Sequence, residues 1–365
     1  AIETVPATGA MAANSTITGV INGANSTFQT GDDIDGNATS NASVIIAAAN
    51  GGNTLVTIDT LQSITFRTLA VEAVNALLFN NVGTVGITGS QAVLTVNNGA
   101  LASTYASAAS ISGVADGLTV NLRAGDITGT SNTINFSVAG TGSSVAGAAT
   151  RTALTSGSTG VEGIAVATSG SNFFSVAGNT TAATDGATLT FTGAGVNDVQ
   201  VLAGGLATTS NINGSALTGA LTLDVTTNLS TNDTISGGTA TSDTLRATTS
   251  GVVATGLSVT GFETLRLDSG AAASTLVFAA TPVVTTLRVD AGTGNVLKTL
   301  NTLGTFTTLA YRGTGTAATA ANANNFNRVT TTGGFAGTAD SLAVAFSNSG
   351  VTNTNANIRR SNVID

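Results

Sequence analysis

The chain has no cysteine and no histidine. Thiol nucleophiles, imidazole bases, zinc-finger ligand sets and haem axial histidines are thereby excluded, and most enzyme chemistry with them. An exported protein without disulfides needs another staple, and bound metal is the available one. Charge is also scarce, since 8% of the 365 residues are charged against roughly 25% in an ordinary globular domain. Lys298 is the single lysine, and no run of arginines could track a phosphate backbone, which argues against nucleic-acid binding. Tryptophan is missing and tyrosine is rare, so the sequence lacks the sugar platforms expected of a solenoid polysaccharide lyase or hydrolase. No segment reaches the roughly 18 unbroken apolar residues of a membrane span, and no charged-then-apolar signal peptide is visible. The sequence begins at Ala1 rather than Met, as a processed or excised portion would.

What remains is glycine, alanine, threonine, serine, asparagine and valine. Glycine occurs 45 times and proline only 2, without a collagen period, and a mean hydropathy of +0.34 opposes plain disorder. The core must therefore be built from small aliphatic side chains. The net charge of -8 comes from 19 acidic against 11 basic residues. Most of the acids are aspartate, which with asparagine and glycine is the chemistry of turns and of hard, oxygen-ligated cations, calcium first among them.

One repeat is legible in the second half: Thr222-Leu223-Asp224-Val225, Thr244-Leu245-Arg246, Thr264-Leu265-Arg266-Leu267-Asp268, Thr286-Leu287-Arg288-Val289-Asp290 and Thr308-Leu309-Ala310-Tyr311-Arg312. The starts are separated by 22, 20, 22 and 22 residues. Apolar and polar residues alternate within each unit, the period of a half-buried strand. One strand per 20 to 22 residues reads as the rung of a parallel β-solenoid, with Leu223, Leu245, Leu265, Leu287 and Leu309 as an interior column. Arg246, Arg266 and Arg288 then form an outer column, and stacked like charges call for interleaved acids such as Asp243, Glu263, Asp268 or Asp290. An antiparallel sandwich is the alternative for the same short strands.

In the first half the strands are equally clear, as in Thr54-Leu55-Val56-Thr57-Ile58, Ala92-Val93-Leu94-Thr95-Val96 and Leu118-Thr119-Val120-Asn121-Leu122, but their spacing is irregular. The sequence thus predicts an all-β chain with a sandwich-like region over 1–215 and a solenoid over 216–365. Helix is plausible only from Thr68 to Phe79, where good helix formers gather.

The sharpest local motif is Asn232-Asp233-Thr234-Ile235-Ser236-Gly237-Gly238-Thr239-Ala240-Thr241-Ser242-Asp243. It resembles the glycine- and aspartate-rich nonapeptide of RTX proteins, although Ala240 stands in a glycine position and one extra residue precedes Asp243. The segment Gly256-Leu257-Ser258-Val259-Thr260-Gly261-Phe262-Glu263-Thr264-Leu265-Arg266-Leu267 resembles the stretch that follows degenerate RTX turns in S-layer proteins exported by type I secretion. A weaker copy of the pair runs over residues 30–39 and 61–67. The resemblance implies left-handed glycine turns, calcium held by turn aspartates, export without an N-terminal signal, assembly of a surface lattice and no catalysis.

The candidate calcium ligands are Asp32, Asp33, Asp35, Asp233, Asp243, Asp268 and Asp290, with Asn197 and Asp198 a weaker pair. Each could instead only cap a turn, since aspartate commonly does so in glycine-rich segments. Glu263 reads as an arginine partner or a cap. Tyr105, Tyr311 and Phe326 read as packing residues. The expectation is an extracellular, calcium-stabilised subunit of a bacterial surface layer or filament. Its partners would be copies of itself and cell-surface polysaccharide, with no nucleic acid and no membrane insertion. A stalk or binding module of a large adhesin, or a phage fibre, would share this composition.

Overall fold

A computed structural model describes residues 4–5, 12–21, 27, 31–46, 54–55, 57–145, 149–178, 187–202, 210–225, 229–249, 251–269, 272, 274–279, 284–290, 297–301, 306–313, 328–332 and 343–348. The chain divides into two compact units, one formed mainly by 1–199 and the other mainly by 208–365. Both are parallel β-solenoids, which together take up most of the chain.

In the first unit one face carries, in stacking order, Thr16–Ile21, Asn41–Ile46, Ser63–Thr68, Thr84–Thr88, Thr104–Ala108, Thr133–Ala139, Gly163–Ser169 and Ala187–Gly193. The opposite face carries Thr54–Leu55, Glu72–Asn75, Val93–Gly99, Gly117–Leu122, Thr152–Ser156 and Ser171–Gly178. A short third sheet joins Thr4–Val5, Asp33–Asp35, Thr57–Asp59 and Phe79–Asn80. In the second unit the strands alternate in the same way, with Ser210–Leu217, Thr234–Ser236, Val253–Thr260, Ser274–Phe278, Leu297–Asn301 and Arg328–Thr332 in one sheet. Leu221–Asp224, Thr244–Thr249, Thr264–Ser269, Thr286–Asp290, Thr308–Gly313 and Ala343–Asn348 form the other.

The predicted leucine column exists. Leu223, Leu245, Leu265, Leu287 and Leu309 lie beside one another in register, the first four buried to 2% exposure or less. Every second side chain points inward, so Thr244–Thr249 alternates half-buried and buried along its length. Stacking like on like closes this column with leucine alone, each buried leucine contributing about 1.5 to 3 kcal/mol, while Phe262 and Phe278 are buried elsewhere in the same unit, so the core is not built from small aliphatic side chains only.

The sandwich expected over 1–215 is replaced by the same coil. Ile64, Val85, Tyr105, Phe136, Val166 and Phe191 form one interior column, and Leu94, Leu118, Leu154 and Val176 another, all through parallel pairs. The physical reason is that rung length varies while register does not. Thr84 lies beside Thr104, yet Gly117 lies beside Ala153, because corner loops absorb the difference. One such excursion is closed by an antiparallel bridge between Ser143 and Thr150.

The helix expected from Thr68 to Phe79 shrinks to one 3-10 turn, Ala76–Leu78, capped by the Asn75 side chain accepting from the Leu77 amide at 3.0 Å. Glu72–Asn75 is instead a strand paired with Val93–Gly99, so the neighbouring rung overrides local helix propensity. Tyr105 is a packing residue as expected: it is fully buried, its ring lies 6.2 Å from that of Phe136, and its hydroxyl donates to the Ala100 carbonyl at 2.8 Å. Tyr311 and Phe326 lie outside the residues whose side chains are described.

Candidate functional site

Of the acids singled out in the second unit, Asp243, Asp268 and Asp290 lie on and beside the strands Thr244–Thr249, Thr264–Ser269 and Thr286–Asp290, next to Leu221–Asp224, while Asp233 precedes Thr234–Ser236 in the other sheet. On the outer surface Asp224, Arg246, Arg266 and Arg288 occupy one register column, and Thr248, Asp268 and Asp290 the next. The charges interleave across it. Arg246 bonds Asp224 at 3.1 Å and Asp268 at 2.5 Å. Arg266 holds Asp268 at 2.9 Å and Asp290 at 2.8 Å, and Arg288 holds Asp290 at 2.7 Å. Asp268 and Asp290 therefore neutralise the arginine column, as stacking required, while the sequence reading gave no such role to Asp224.

Asp243 and Glu263 sit one position before the outer threonines, at the corner where the chain enters this sheet. Asp243 has no solvent exposure, and its carboxylate accepts the Leu221 amide at 2.8 Å and the Gly238 amide at 2.7 Å. Burial pushes its carboxyl above the usual carboxylate range; the two amides oppose the shift and the Glu263 charge adds to it. The Glu263 side chain accepts the Asp243 amide at 2.8 Å, so it is the cap that the sequence suggested. The Asp243 carbonyl in return accepts the amides of Glu263 and Thr264, both at 3.1 Å. The corner repeats up the unit, since the Glu263 carbonyl accepts from Thr285 and Thr286, and the Thr285 carbonyl from Thr307 and Thr308.

Asp233 closes the other end of the RTX-like turn, taking the Ser230 amide at 2.6 Å and the Ser230 hydroxyl at 2.8 Å. The glycines do not act as the resemblance implied. The left-handed positions are Asn232, Gly256 and Gly261 rather than Gly237 or Gly238. Gly237 is required by proximity, because a Cβ there would collide with the Gly261 carbonyl.

In the first unit, Asp33 and Asp35 flank the buried Ile34 on one short strand, and Asp32 is buried just before it. Asp35 lies beside Asp59, whose carboxylate accepts Asn80 Nδ2 at 2.8 Å. Oδ1 of Asp33 is buried and has no hydrogen-bond partner. Among the described residues no three acidic, histidine or cysteine side chains converge to hold a metal ion.

Asp198 is engaged by Arg151 at 2.7 Å, with the guanidinium 3.9 Å from the Phe173 ring centre, and Asn197 is buried and accepts from Asn172 at 3.0 Å. Sequence reasoning missed Asp116, a buried carboxylate that accepts the Ser110 hydroxyl at 2.8 Å and the Thr152 hydroxyl at 2.6 Å. Its one signal, an aspartate before a glycine, is shared by ordinary turns. No described helix is long and apolar enough to cross a membrane. Comparison with protein-family models, curated proteins and solved structures finds no match.

Proposed function

We propose that the protein is a structural subunit of an extracellular bacterial surface layer or filament that assembles with copies of itself. The observation that carries this reading is the self-satisfied stacking of rungs. Leucines pair with leucines, Arg246 and Arg266 each bridge aspartates of two rungs, and corner amides are answered by corner carbonyls. Side chains that other proteins spend on a reaction centre are here committed to holding one rung on the next.

Calcium belongs to the proposal through Asp32, Asp33 and Asp35. What supports this part of the reading is the buried, unpartnered oxygen of Asp33 together with the register pair Asp35 and Asp59, two carboxylates stacked with no arginine between them among the described residues. An ion bound there would supply positive charge between stacked carboxylates, with carbonyls, water or a neighbouring copy completing its six to eight ligands. Electron microscopy of the purified protein with calcium tests the assembly. An ordered sheet or filament is expected, and monomers dispersed at every calcium concentration would favour a stalk or adhesin module instead. Melting curves with calcium and with chelator test the metal, and superimposable curves would remove it from the proposal.

A further inference from the structure

The RTX-like turn has the sequence of a calcium loop and the hydrogen bonding of a metal-free staple. Calcium takes six to eight oxygen ligands at about 2.3 to 2.6 Å. Both Asp243 carboxylate oxygens are instead taken by donors, the Leu221 amide at one from 2.8 Å and the Gly238 amide at the other from 2.7 Å, and the neighbouring Glu263 carboxylate is itself engaged by the Asp243 amide at 2.8 Å. A cation there would face the positive ends of two N–H dipoles, and the carboxylate has no solvent exposure from which water ligands could come. Asp233 likewise gives one oxygen to the Ser230 amide and the other to its hydroxyl. Asp268 and Asp290 face guanidinium groups at 2.5 to 2.9 Å, so their positive partners are already built into the chain.

We infer that the rungs from Leu221 to Asp290 stack without calcium, with the Leu221 and Gly238 amides replacing the ion at Asp243 and Arg246, Arg266 and Arg288 replacing it at Asp268 and Asp290. Calcium dependence then belongs to sites elsewhere in the chain or between copies. The inference stands apart from the assembly proposal, since it concerns folding within one chain.

Hydrogen exchange on the full chain, read by mass spectrometry over residues 217–225 and 236–245, tests it. The expected result is equal protection in calcium and in chelator, with Asp243→Asn raising exchange in these peptides to the same extent in both. Calorimetric titration with calcium alone should give one stoichiometry for the unmodified chain, Asp243→Asn and Asp268→Asn. Protection that collapses in chelator, or a variant that binds one calcium fewer, overturns the inference. Should Asp243→Asn fail to fold, the exchange comparison on the unmodified chain still decides. Failure to form a lattice in the microscope would sink the assembly reading and leave this result in place.

Discussion

The carboxylate of Glu263 caps the backbone amide of Asp243 one rung earlier, at 2.8 Å, while the Asp243 carbonyl accepts the amide of Glu263 in return. This reciprocal pair is the solenoid counterpart of a capping box, with the two partners on successive rungs rather than on one helix turn. Glu263→Ala should lower stability by about 1 to 2 kcal/mol, because it strands a buried donor. Glu263→Gln keeps an acceptor and should lose less. Urea titration followed by circular dichroism checks the order, and equal losses would show that the cap is idle.

Leu287 is fully buried between Leu265 and Leu309 in the register column. Leu287→Ala should cost roughly 2 to 5 kcal/mol, the range for cavity-forming substitutions in a packed core. Leu223→Ala, at the first position of the leucine series, provides the comparison. Denaturant midpoints that move by less than about 1 kcal/mol at Leu287 would contradict the close packing of the column.

Arg266 joins Asp268 to Asp290, and its side chain is 26% exposed. Arg266→Met leaves Arg246 on Asp268 and Arg288 on Asp290, so the expected loss is modest, about 1 kcal/mol at low ionic strength. The loss should shrink in 1 M salt, where exposed charges are screened within about 3 Å. Thermal melts of the variant and the unmodified chain at two salt concentrations make the measurement. A loss that is unchanged by salt would point to packing by the arginine stem instead.

Burial raises the Asp243 carboxyl above its ordinary value of 3.8, so the folded chain holds a proton over a range of pH in which the unfolded chain has released it. The associated stability is fully present below the unfolded value and is lost as pH rises through the folded one. Stability of the unmodified chain relative to Asp243→Asn should therefore fall as pH is raised from about 4 toward neutrality. Paired denaturation curves across that interval check the sign. A relative stability that climbs with pH would mean that the amides of Leu221 and Gly238 outweigh desolvation.

The second unit was readable because its rungs keep nearly one length, so Leu245, Leu265 and Leu287 recur with a period that mirrors their contact in space. The first unit obeys the same stacking, but a rung as long as the one from Gly117 to Ala153, which carries Thr133–Ala139 and an excursion bridged at Ser143 and Thr150, erases the period while leaving the register intact. The column of Tyr105, Phe136 and Val166 was therefore invisible in sequence, although each strand was recognisable. The helix expected near Glu72 failed for a related reason, since propensity is local and the pairing of Ala73 with Thr95 is not.

The acids divide in the same way. That acids would answer the arginine column followed from charge, because arginines stacked at strand spacing need counterions; of Asp243, Glu263, Asp268 and Asp290, register gave that role to the last two and made the first two backbone caps. Whether Asp243 faces a cation or an amide depends on which N–H groups the neighbouring rung brings to it, and those belong to Leu221 and Gly238, one rung back and one turn away. An all-β chain, a leucine-lined coil in its second half and acids answering its arginines could be read from periodicity and residue type. That the coil also occupies the first half, with buried Tyr105, Phe136 and Phe191 in its column, and what each buried carboxylate touches emerged from the fold, because rung-to-rung register joins residues whose separation along the chain is set by loops of no fixed length.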